Sequence, residues 1–158
     1  MFADPLTARL VEFVRSVGIG VSAQELGDDT FLPGLDIRDG VLLIDAARLK
    51  HPGDILHEAG HFAVADPERR VKPQLKPTKG EEMAAMAWSY AAITHLGLPP
   101  EIVFHPDGYQ GGNKEMIAAF ADGSGPGTPL LAWFDMTAAP HGPDNGFATF
   151  PQMHRWLR

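Results

Sequence analysis

The residues best equipped for chemistry are five consecutive ones, His57-Glu58-Ala59-Gly60-His61. On a helix, positions i and i+4 share a face, so two imidazoles spaced this way can converge on one metal ion at about 2.0–2.1 Å without distorting the backbone. Glu58 projects beside them. A carboxylate in that place reaches a water on the ion rather than the ion itself, and zinc lowers the pKa of such a water from 15.7 toward about 7. The order ligand, base, ligand is the one that metal-assisted hydrolysis of a carbonyl needs. Ala59 and Gly60 are small and uncharged, which suits a helix buried beneath a site.

A catalytic zinc takes three protein ligands and keeps a fourth position open. The chain has no Cys, so a third ligand must be His or a carboxylate. The extended HExxHxxGxxH pattern fails, because Val64 and Pro67 stand where its Gly and third His belong. Glu81 and Glu82 remain, about 20 residues after His61, in the first turn of an apolar helical stretch. Thr78-Lys79-Gly80-Glu81 has the spacing of a capping box, in which Thr78 caps the helix and Glu81 reaches back to the cap's N–H. That role for Glu81 leaves Glu82 free.

The layout of strand, HExxH helix and Glu-bearing helix resembles the gluzincin branch of the zincin metallopeptidases, and is most similar to the small bacterial ImmA/IrrE-type proteins. The likeness covers about residues 30 to 96, and Glu82-Met83-Ala84-Ala85-Met86-Ala87 is similar to the family's ligand-bearing helix start. The sequence departs from the family where Met86 replaces an aromatic residue and where the usual Asn after the Glu is missing. The resemblance implies His57, His61 and Glu82 as ligands of Zn2+ and Glu58 as general base. Thermolysin-type spacing would favour Glu81 instead of Glu82. It further implies a Tyr or His that stabilises the oxyanion at the attacked carbonyl, for which Tyr90, His105, Tyr109 and His141 are the candidates. An edge strand that pairs with extended substrate is also implied, lying in Thr30 to Ile37 or in Val41 to Asp45.

Several elements must position these residues. Leu6, Leu10, Phe13, Val14 and Val17 recur at helical spacing, and Gly18 ends that pattern. Leu35 and Ile37 alternate with Asp36 and Arg38, and Asp39-Gly40 before Val41 to Ile44 is a strong hairpin signal. A helix is expected from Pro52 to about Ala65, closed by Asp66-Pro67, and then an exposed basic loop from Glu68 to Gly80. Glu81 to Leu96 reads as a helix apolar all round and therefore buried. Beyond a Gly-rich loop we expect a short helix from about Lys114 to Ala121 and a terminal helix around Gln152 to Arg158. His95 falls in a last helical turn, where the helix dipole favours it, and His51 precedes Pro52 in a structural position.

The remaining composition narrows the function classes. A chain of 158 residues is the size of one domain, and the net charge of −7 argues against nucleic acid or anionic membrane as a partner. No apolar run approaches the length of a membrane span, and Asp4, Arg9, Glu12 and Arg15 interrupt what would be the apolar core of a signal peptide. We expect a cytoplasmic α+β protein: a single minimal zincin-like domain over residues 1–158, with a small antiparallel sheet packed on the HExxH helix and on a second buried helix. The expected function is zinc-dependent hydrolysis of peptide or protein substrates. The alternative is a zincin-fold regulatory or protein-interaction module with little proteolysis, whose basic loop from Arg69 to Lys79 docks an acidic partner.

Overall fold

A computed structural model describes residues 1–158. The fold is α+β, six helices around a three-stranded sheet. Helix α1 (Pro5–Ser16) is capped by Asp4, whose carboxylate accepts from Thr7 N at 2.8 Å, and it buries Leu10, Val11, Phe13 and Val14. Strands β2 (Leu35–Arg38) and β3 (Val41–Ile44) form the expected hairpin. Asp39 and Gly40 both adopt positive φ, 49° and 77°, as a tight two-residue turn matching the strands' twist requires. A further strand, β1 (Gly20–Ala23), pairs parallel with β3, so the sheet is mixed, in the order β1-β3-β2. Its four largely exposed residues carry no apolar alternation, and it forms because β3 offers it a free edge.

Helix α2 (Asp54–Val64) carries the HExxH residues and is buried along almost its whole length. Asp66 caps a single further turn, α3 (Pro67–Arg70), within the segment expected to be an exposed loop. Its arginines are held by the fold: Arg69 donates to Glu81 and to Lys76 O, while Arg70 donates to Phe62 O, Ala63 O and Arg158 O. Helix α4 (Lys79–His95) is apolar all round and sits at the centre, with Ala84, Ala85, Ala87, Trp88, Ala91, Ala92 and Ile93 fully buried. Helices α5 (Asn113–Asp122) and α6 (Thr128–Trp133) cover it.

The tail is a correction to the sequence reading. Gln152 to Arg158 forms no helix, because its peptide groups bond to other elements. His154 N donates to Met136 O at 2.8 Å, Arg158 N to Ala63 O at 2.9 Å, and Trp156 O accepts from the buried Trp88 indole at 2.9 Å.

Small residues decide how closely α2 and α4 approach. A Cβ added at Gly60 would meet Ala85 O at 2.9 Å and Ala85 Cα at 3.2 Å, so the two backbones are in contact there. Gly60→Ala should therefore lower stability by about 1–2 kcal/mol, since overpacking against backbone outweighs the gain of about 1 kcal/mol in helix propensity. Urea unfolding midpoints measure this, and a stabilised variant would contradict the contact.

Candidate metal centre

The α2–α4 contact brings three ligand types together. One donor atom each from His57, His61 and Glu82 lies within 4.8 Å of the other two. Glu82 Oε2 is 3.7 Å from His57 Nε2, and Glu82 Oε1 is in closer contact with His61 Nε2. That closer contact lacks the alignment of a hydrogen bond, which leaves the buried His61 Nε2 without a hydrogen-bond partner. This clustering of donor atoms is compatible with a shared cation. Two imidazoles and a carboxylate also form a donor set suited to zinc.

Burial disfavours a charged His61, but the carboxylates of Glu58 and Glu82 outweigh it and raise its pKa to about 9. Burial likewise opposes ionisation of Glu82, yet the two histidines hold it well below the usual carboxylate range. Glu58 is buried, with Oε1 3.4 Å from His61 Nδ1 on the side of the ring away from Glu82's partner nitrogen. The His57 ring packs edge-on against His61, with centroids 4.6 Å apart, and against Tyr109 at 6.4 Å.

Glu81, the neighbouring candidate, faces elsewhere. Its Oε1 accepts from Thr78 N at 3.1 Å and from Arg69 Nη1 at 2.6 Å, and its own N–H donates to Thr78 Oγ1 at 3.1 Å. The capping box expected from the spacing is thus formed, with a partly buried ion pair added.

The four candidates for oxyanion stabilisation separate by location. Tyr90 stacks among Phe104, Phe120 and Phe150 in the core, and His141 lies against Asp122 O beside α5. His105 Nε2 bonds Asp54 Oδ1 at 2.8 Å, in the first turn of α2. Tyr109 alone of the four has its ring against a candidate ligand, His57. Burial, reinforced by the negative charges of Asp54 and Glu82, pushes its phenol above the ordinary range, so it remains a hydrogen-bond donor. Tyr109 and Gln110 both have positive φ, 56° and 52°, a left-handed conformation uncommon outside glycine and costing on the order of 1–3 kcal/mol each.

A second group, His51, His105 and Asp107, also places donors within 4.8 Å of one another. The His51 and His105 rings stack at 3.7 Å and 13°, however, so their in-plane lone pairs lie in nearly parallel planes and are poorly placed to converge on one ion. We read the stack as a tether. Together with the bond to Asp54, it ties the loop bearing Tyr109 to the start of α2. Asp54 was missed in the sequence, where an acidic residue in a first helical turn reads as complementing the helix dipole.

A cavity of about 410 Å³ opens beside the ligands, lined by Phe31, Ile37, Leu75 and Pro77 together with Glu58, His61 and Glu82. Of the two proposed edge segments, β3 is central and β2 is the edge, and β2 borders this cavity. No protein-family model matches the chain, and no curated protein or solved structure shows significant similarity to it.

Two outcomes are expected. Glu82→Ala should abolish stoichiometric zinc binding, while Glu81→Ala should retain zinc and lose about 1–2 kcal/mol of stability through its cap and ion pair. Metal content of the purified variants and urea unfolding check both, and the reverse pattern would exchange the two roles. The second concerns pH. A His61 pKa of about 9 in the folded state against 6.5 unfolded contributes stability that is fully present below pH 6.5 and lost as pH rises through 9. Thermal melts of chelator-treated protein should therefore fall across that window by on the order of 3 kcal/mol, and His61→Gln should flatten the profile.

Proposed function

We propose that this protein is a zinc-dependent metallopeptidase of the gluzincin type, similar to the ImmA/IrrE proteins. The supporting observation is the convergence of His57, His61 and Glu82 beside a cavity that Glu58, His61 and Glu82 help line and that the edge strand β2 borders. Zinc held by those three residues would supply Lewis acidity, making a water acidic enough to ionise near neutral pH and polarising the scissile carbonyl.

The remaining roles belong to the chain itself. Glu58 takes the proton of the attacking water and passes it to the departing amine, so that one water and one peptide bond yield a carboxylic acid and an amine. Its buried carboxylate is suited to that exchange, because little bulk water competes for the proton. Tyr109, held protonated, donates its O–H toward the oxygen that gains negative charge. β2 offers backbone groups along the cavity, and Phe31, Ile37, Leu75 and Pro77 provide an apolar surface for a substrate side chain.

In zinc-loaded protein, Glu58→Gln should keep the metal and reduce hydrolysis of a capped octapeptide pool by about 10²–10⁴-fold. Tyr109→Phe should lower kcat by about 10²-fold with KM little changed. Mass spectrometry of the pool reads both. Full activity in Glu58→Gln would remove it as base, and a wild-type protein that holds zinc but cleaves nothing would overturn the peptidase reading.

A further inference from the structure

The outward N–H groups of β2 are occupied within the chain, one by a backbone carbonyl and one by a side chain. Arg38 and Val41 flank the two-residue turn, and in an antiparallel ladder such a pair exchanges both backbone bonds. Bonded and non-bonded pairs then alternate, so Asp36 also directs its peptide groups toward β3, while Leu35 and Ile37 direct theirs away. The bond from Asp45 N to Gly34 O, at 2.9 Å, continues that alternation. Of the two outward N–H groups, Leu35 N–H donates to Leu32 O at 3.2 Å. Ile37 N–H donates to Asp36 Oδ1 at 2.8 Å, and Asp36 Oδ2 accepts from Arg38 Nε at 2.6 Å.

We propose that Asp36 is a specificity-determining gate: its carboxylate, steadied by Arg38, covers the backbone donor through which an extended peptide would pair with β2. The inference rests on the peptide-binding reading of the cavity. A carboxylate accepts a hydrogen bond more strongly than a peptide carbonyl does, so a lone backbone bond does not displace Asp36. Displacement needs a peptide that makes further contacts at the same time, and the apolar residues beside Ile37 are the surface on which it can make them. The gate thus selects extended segments that carry an apolar side chain in register with the cavity, and discriminates against chains that offer backbone bonds alone.

The test uses zinc-loaded full-length protein with Glu58→Gln in every sample, so that the probe stays intact. The probe is a capped, fluorescein-labelled octapeptide of threonine and serine, which offers backbone bonds without a large apolar side chain. Two readouts are taken, amide hydrogen exchange at Ile37 and peptide affinity by fluorescence anisotropy. Adding Asp36→Ala should speed exchange at Ile37 and tighten binding by about three- to tenfold, the worth of one net hydrogen bond. Adding Arg38→Gln should shift both in the same direction, which guards against a folding defect peculiar to one variant. Replacing one central threonine of the probe by leucine should tighten binding to the protein that keeps Asp36 by more than it tightens binding to the Asp36→Ala variant, and an equal gain in both overturns the selectivity. If the probes bind equally well with and without Asp36, or Ile37 exchanges equally slowly, the gate is overturned while peptide binding stands. If no probe binds any variant although the Ile37 amide has opened, the peptide-binding reading falls and takes the gate with it.

Discussion

Gly60 lies against the backbone of Ala85, and the separation of α2 and α4 at that point governs the rest of the site. Glu82 is three residues before Ala85, and His61 is next to Gly60, so closest approach of the helices brings carboxylate and imidazoles into contact. Any larger side chain at this crossing would part the helices and open the donor set with them. The alanines of α4 allow the approach, and Trp88 together with the C-terminal tail holds α4 from another side. Site geometry is thus a consequence of core packing, fixed by which residues are small.

The electrostatics follow from that packing. Glu58 and Glu82 are brought beside two histidines, with Glu58 and His61 buried and Glu82 partly exposed, and negative charge there is poorly compensated without a cation. A proton on His61 relieves part of the imbalance, which is why its pKa rises against the effect of burial. A divalent cation would relieve more of it at the same place. Proton and metal would therefore compete for one set of lone pairs.

The parts legible in the sequence were those set by local rules. The spacing of His57 and His61, the Thr78–Glu81 capping box and the Asp39-Gly40 hairpin depend on residues a few positions apart, and each takes the local form expected. The illegible parts depend on long-range partners. β1 pairs with the free edge of β3, and the tail from Gln152 onward is not helical because Met136 and Ala63 take peptide N–H groups within it. Tyr109 could not be told from Tyr90 by residue type, since one ring meets His57 and the other an aromatic core only through the fold. Glu81 and Glu82 were separable in part, because the capping box is local, but the Arg69 pair that completes the role of Glu81 is not.

A peptide-binding site at the border between a helix pair and a strand edge, as proposed, would carry a conflict. A bare edge beside a reactive centre would pair with any extended chain, including another copy of itself, and edges of this kind promote association. The protein's β2 answers with short length and with Asp36 and Arg38, charges that bond to the edge and to each other. On the proposed reading, such protection would also lower the affinity of any peptide that uses the same edge, and selectivity would then come from elsewhere in the cavity. The apolar residues next to Ile37 are the available source. On this view the blunted edge and the apolar cavity are two halves of one arrangement, in which backbone pairing becomes accessible only to a chain already held by its side chain.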